Sequence, residues 1–167
     1  MTIYNYRYWQ SLLLLISLGV LLASIYFQYI EGMQPCPLCL MQRLCVLLEL
    51  FFCFIAIFTS RLFIQRFITS LQIIIALAGL YFAGRQLWLQ SLPHDQMPAC
   101  LPGLDVLMRY FPWRDILHAL FWGAADCAEI NWQLLGLSMP AWAALYFICI
   151  LSTAVFLYIN AKRNKQT

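Results

Sequence analysis

The sequence predicts an all-α membrane protein: a four-transmembrane-helix bundle with a long outer loop that carries a short interfacial helix. Three observations predict it: long runs without charge, scarce charge overall, and basic residues gathered on one side. Of 167 residues, 63% are hydrophobic and 10% charged, whereas a soluble domain carries about 25% charged residues to coat its surface. Ten Lys and Arg against seven Asp and Glu leave a net charge of +3, too little to hold a polyanion. These figures exclude an ordinary soluble enzyme, a disordered chain and a nucleic-acid binder.

Residues 8–30, 67–84 and 130–161 contain no charged side chain, and residues 40–60 contain only Arg43 and Glu49. A helix needs about 20 apolar residues to cross ~30 Å of hydrocarbon, and in lipid each span must satisfy its own backbone hydrogen bonds. Four helices follow, at about 9–29, 40–59, 67–88 and 141–159, in a single integral membrane domain, 1–167. The outer loops fall at about 30–39 and 89–139. Pro140 supports the start of the fourth helix, because proline is tolerated in a first helical turn. The first run exceeds the apolar stretch of about 7–15 residues in a signal peptide. It also ends in Tyr26-Phe27-Gln28-Tyr29, not in small residues, so a retained helix is expected.

Arg7 precedes span one, Arg61 and Arg66 separate spans two and three, and Lys162, Arg163 and Lys165 follow span four. Basic residues accumulate in short cytoplasmic segments, so both termini are placed in the cytoplasm. The long outer loop sets Arg109 and Arg114 against Asp95, Asp105, Asp115, Asp126 and Glu129. Within it Trp113, Ile116, Leu117, Leu120 and Phe121 recur at helical spacing, with Arg114, Asp115 and His118 on the other face. Such a helix either lies in the interface plane or packs against the top of the bundle.

This topology sorts the seven cysteines. Cys45, Cys53 and Cys149 fall inside spans and read as small apolar residues of the bundle. Cys36 and Cys39 lie in the short outer loop, Cys100 and Cys127 in the long one, on the side where disulfides persist. Pro35-Cys36-Pro37-Leu38-Cys39 places a C-x-x-C pair at a helix start, where free N–H groups and the helix dipole stabilise a thiolate. Arg43 follows Cys39 by one helical turn on the same face. A cation there is a candidate for favouring the thiolate and holding a polar ligand group. Cys100 sits between Pro98 and Pro102, which with Gly103 leave an extended or turning segment open to another protein.

Three uses of these four cysteines compete. Redox exchange ranks first. Structural staples rank second, in a non-catalytic four-helix subunit with disulfide-stapled outer loops. Metal handling ranks last, because the second pair lacks zinc-ribbon spacing, and no metal site is expected. Glu49, midway along span two, is either a proton-relay element or a carboxyl without function. Arg85 either touches a ligand or snorkels to the interface, and His94 and His118 read as solvated loop histidines.

Pro35-Cys36-Pro37-Leu38-Cys39 with Arg43, then Cys100, then Asp126-Cys127-Ala128-Glu129 form a pattern that resembles the DsbB family of disulfide bond formation proteins in the bacterial inner membrane. The match continues through Trp132, Leu135-Gly136-Leu137, Met139-Pro140 and Trp142. The resemblance implies a thiol:quinone oxidoreductase with its active cysteines in the periplasm. Reduced DsbA-like thiol oxidase would attack a Cys100–Cys127 disulfide through Cys100, and Cys127 would then attack Cys36. Cys39, beside Arg43, would pass the electrons to bound ubiquinone or menaquinone from the membrane quinone pool. A quinone suits the energetics, since DsbA is a strong dithiol oxidant at about −120 mV and needs a stronger or coupled acceptor. A paralogue serving a dedicated DsbA-like partner falls in the same class. Family members often carry Glu directly before the arginine, where this chain has Gln42.

Overall fold

A computed structural model describes residues 3–93, 112–130 and 132–163 of the chain. Cys100, His94, Asp95, Asp105, Arg109 and Lys165 lie outside the described residues.

Four long helices are apolar enough to cross a membrane, with mean hydropathies of 1.8 to 2.1 over their most apolar windows. They are α1 (Ile3–Tyr29), α2 (Pro37–Phe58), α3 (Leu62–Gln90) and α5 (Met139–Arg163), and a short α4 (Trp113–Trp122) lies between α3 and α5. Every span begins earlier than the charge-free runs predict: Ile3 against 9, Pro37 against 40, Leu62 against 67 and Met139 against 141. The reason is physical. A charge-free run marks the part of a helix that lipid must cover, while Arg7 and Arg66 have good helix propensity and let α1 and α3 continue past the hydrocarbon.

The bundle has a closed side and an open side. α3 lies along α5 and also against α2, which in turn packs on α1, while α1 and α5 scarcely touch. The α3–α5 seam is tight at Gly79, where an added Cβ would stand 2.2 Å from the Phe147 ring. Small residues at such crossings let helix backbones approach in lipid. Polar side chains face inward and bond across helices. Gln10 and Gln72 exchange reciprocal amide bonds of 3.0 Å, the Tyr6 hydroxyl meets Thr69 Oγ1 at 3.2 Å, and Ser17 Oγ meets Tyr146 at 2.7 Å. At the end away from the Cys36–Cys39 pair, Arg7 donates to Ser60 Oγ at 3.1 Å and Arg66 to the Ala161 carbonyl at 2.6 Å.

At the cysteine end, α4 packs on α2, burying Ile116 and Ala119. Its Phe121 ring lies 5.8 Å from Phe82 of α3. Of the two placements open from sequence, contact with the bundle is observed, and Trp113 and Leu117 stay exposed. Gly123 ends α4 at φ +84, a conformation that suits glycine, with Leu38 and Leu89 too close to admit a side chain. A short 3-10 turn, Ala125–Cys127, follows. Then a two-stranded hairpin pairs β1 (Gln133–Leu134) with β2 (Leu137–Ser138). Its two-residue loop has Leu135 and Gly136 at positive φ, 55 and 79, as a type I′ turn requires. The hairpin is fixed to the bundle by Ser138 Oγ, which donates to Gln90 at 2.9 Å, and by Trp142 Nε1, which donates to the Leu134 carbonyl at 3.3 Å.

Candidate functional site

Pro37 opens α2 at a position where its missing N–H matters least, and Cys36 becomes the N-cap. The Cys36 sulfur fills the usual capping role, accepting the Cys39 backbone N–H at 3.3 Å. The same turn brings the two sulfurs together: the Cys36 thiol donates to Cys39 Sγ at 2.7 Å. Local helix-start chemistry thus builds the C-x-x-C pair without help from the rest of the fold.

Tertiary structure adds a third sulfur. The 3-10 turn carries Cys127, fully buried, into the same buried cluster as Cys36. The Cys36 thiol beside it, with backbone bonds at Ala124 and Leu38, outweighs burial and the nearby Asp126, lowering the Cys127 thiol from 9.0 to about 7. Cys36 moves the other way. Its bonds to Cys127 and Cys39, reinforced by burial, push it far above the ordinary thiol range. The Cys36 sulfur therefore keeps its proton, and Cys127 is the readier of the two to become a thiolate.

Two glutamines underlie the pair. Gln86 of α3 donates to Cys39 Sγ at 3.3 Å and to Cys36 Sγ at 3.5 Å, and Gln42 of α2 donates to Gln86 Oε1 at 2.8 Å. Neither was singled out by sequence reasoning for a role at the sulfurs. A signal was present: Gln65, Gln72, Gly79 and Gln86 recur every seven residues, and all four are buried along one stripe of α3.

Arg43 does not bond the cysteine above it. Its Nε donates to Ser24 Oγ at 2.9 Å, one terminal nitrogen to the Ser24 carbonyl at 3.2 Å and the other to Gln28 Oε1. These bonds hold the guanidinium toward α1, at the wall of a cleft of about 470 Å³ between α1 and α5. Leu21, Val46, Trp142 and Phe147 give the cleft apolar walls, and Cys39, Arg43 and Gln86 also line it. Trp132 lines it too and packs its ring 4.9 Å from Phe27. A concave apolar space with a few convergent polar groups is the usual form of a small-molecule site.

Other residues fall elsewhere. Arg85 lines neither this cleft nor a smaller one above it. It stacks on Trp88 at 4.1 Å and donates to the Trp122 carbonyl at 3.2 Å, holding the end of α4. His118 is exposed, as expected, with its ring stacked on Trp122 at 5.4 Å. Cys45 and Cys53 are buried, as expected, whereas Cys149 is exposed on α5 and touches the cleft. Glu49 is fully buried, and neither carboxylate oxygen has a hydrogen-bond partner among the described residues.

The chain matches known proteins over most of its length. Residues 6–157 match the family model described as disulfide bond formation protein DsbB. A disulfide bond formation protein B from Marinobacter nauticus is 39% identical over 151 residues, 90% of each chain. One from Methylococcus capsulatus is 40% identical over 146 residues, covering 87% of this chain and 89% of its own. Disulfide bond formation protein B 1 of Pseudomonas aeruginosa is 36% identical over 138 residues, covering 82% and 85%.

Proposed function

Since the chain belongs to the DsbB family of disulfide bond formation proteins and has four helices able to span a membrane, we propose that it reoxidises a periplasmic DsbA-like thiol oxidase and delivers the electrons to a membrane quinone. The protein would lie in the bacterial inner membrane with both termini cytoplasmic and its active cysteines periplasmic. The observation that carries the reading is the burial of Cys127 in one cluster with Cys36, which is in turn bonded to a cleft-lining Cys39.

The exchange runs through four sulfurs. A thiolate of the partner attacks Cys100 of a Cys100–Cys127 disulfide, and Cys127 leaves as the thiolate, which backbone bonds at Ala124 and Leu38 favour. Cys127 then attacks Cys36 of a Cys36–Cys39 disulfide, and Cys39 leaves. The partner's second thiol resolves the mixed disulfide at Cys100, the freed Cys100 attacks the Cys127 sulfur with Cys36 leaving, and the Cys100–Cys127 disulfide is restored. The partner leaves as a disulfide, and Cys36 and Cys39 hold two electrons and two protons.

The cleft suits a quinone. Its volume of about 470 Å³ falls within the range of small-molecule sites, and its walls are mainly apolar. A guanidinium has five N–H donors, of which Arg43 commits three to Ser24 and Gln28. Two remain for a carbonyl oxygen of the ligand. A bound quinone supplies a two-electron, two-proton acceptor. Cys39 presents the sulfur, Arg43 orients the polar edge of the ring, and Trp132 and Phe27 cover the cysteine end of the cleft against water.

The test is direct. The purified protein, given reduced DsbA-like protein and either ubiquinone or menaquinone, should consume quinone absorbance in step with partner disulfide. Cys39→Ser and Cys100→Ser should each abolish turnover while the protein still inserts and folds. Failure of the wild type to turn over any quinone rejects the proposal.

A further inference from the structure

Exchange among sulfurs needs no amide, yet two buried glutamines lie beneath the Cys36–Cys39 pair. Gln86 and Gln42 are 4% and 7% exposed, and burying amides between helices is unfavourable unless they are bonded. Here their bonds converge on the sulfurs. Gln42 Nε2 holds Gln86 Oε1 at 2.8 Å, which turns the Gln86 amino group toward Cys39 Sγ at 3.3 Å and Cys36 Sγ at 3.5 Å. The Cys39 thiol also donates to Gln86 Oε1 at 3.5 Å. One side chain therefore offers a donor to a thiolate and an acceptor to a thiol.

All of these bonds favour the reduced pair. A disulfide carries no S–H to donate, and its sulfurs are uncharged, weak acceptors. Bonds to a charged acceptor are the stronger kind. A network that bonds the dithiol better than the disulfide shifts the equilibrium toward the dithiol, as any differential interaction must.

We infer that Gln86, oriented by Gln42, is a positioning residue that raises the reduction potential of the Cys36–Cys39 pair, making its disulfide a stronger oxidant of Cys127. This rests on the reading that the pair cycles between dithiol and disulfide. The equilibrium to measure is oxidised glutathione plus two thiols giving one disulfide plus two reduced glutathiones, so that the two electrons and two protons of the pair pass to glutathione.

The full-length protein in detergent is equilibrated in graded glutathione buffers, trapped with acid and an alkylating agent, and read at Cys36 and Cys39 by peptide mass spectrometry. Neither quinone nor partner is needed. Gln86→Met should shift the equilibrium toward disulfide by about tenfold, which is about 30 mV for a two-electron couple. Gln42→Met, which leaves Gln86 unclamped, should shift it the same way by less. An unchanged ratio in Gln86→Met overturns the inference. If that variant does not fold, an unchanged ratio in Gln42→Met overturns it instead. A wild-type pair that forms no disulfide even with excess diamide overturns the exchange reading as well, which separates the two failures.

Discussion

Arg43 Nε donates to Ser24 Oγ at 2.9 Å, tying the cation of α2 to α1 and not to the cysteine one turn away. The guanidinium is thereby held as a fixed feature of the cleft wall, with two N–H groups to spare. Arg43→Ala should raise the apparent KM for quinone about tenfold, the worth of one or two lost charged hydrogen bonds. Steady-state rates over a range of quinone concentrations measure this, and an unchanged KM removes Arg43 from the quinone site.

In the fully reduced protein Cys127 should titrate near neutrality. A thiol lowered to about 7 is mostly thiolate above that pH and mostly protonated below it. Its alkylation in the reduced protein should rise through about pH 7 and then level off. Cys36→Ala removes the hydrogen bond that is the largest cause, so the midpoint should move to higher pH. Peptide-resolved alkylation across pH reads both, and a midpoint unmoved in Cys36→Ala disproves the assigned cause.

Gly79 leaves no space for a methyl group, since a Cβ would stand 2.2 Å from the Phe147 ring. Gly79→Ala should destabilise the bundle by roughly 1–3 kcal/mol, the usual range for overpacking. Phe147→Leu in the same chain should recover part of that loss. Thermal unfolding in detergent compares the three proteins, and equal stability of Gly79→Ala and wild type contradicts the close α3–α5 seam.

Glu49 is a carboxyl with no hydrogen-bond partner among the described residues, in the middle of a membrane-spanning helix. Replacing an unsatisfied buried polar group by an apolar one of similar size removes a desolvation penalty of about 1–3 kcal/mol. Glu49→Leu should therefore unfold at higher temperature. A lower unfolding temperature would mean that the carboxyl is bonded in the membrane-embedded protein.

The spans were legible because lipid imposes a coarse rule, one apolar run per crossing, that charge placement alone can reveal. Helix ends were less legible: Arg7 and Arg66 stop an apolar run without stopping a helix. At α2 a local signal also exists, since Pro37 after Cys36 is an N1 proline after a capping residue, whereas the charge rule alone starts the span at 40. Cys36, Cys39 and Arg43 announced themselves by spacing along one helix. The meeting of Cys127 with Cys36 could not, because it depends on how the 3-10 turn docks on α2 across 91 residues of chain. Gln86 was obscured for a different reason. A buried glutamine is informative only when its neighbours are known, and its seven-residue repeat with Gln65, Gln72 and Gly79 reads as packing until the sulfurs appear beside it.

The scant contact between α1 and α5 has a consequence for how a ligand arrives. A cleft lying between two spanning helices is entered sideways, by diffusion within the plane of the bilayer. For a lipid-soluble quinone, the quantity that sets occupancy is then its mole fraction among the surrounding lipids, not its molarity in water. An isoprenoid tail can remain among the acyl chains while the ring enters between the helices. Varying the quinone-to-lipid ratio at constant total concentration would then govern turnover, and diluting the vesicles with buffer would not.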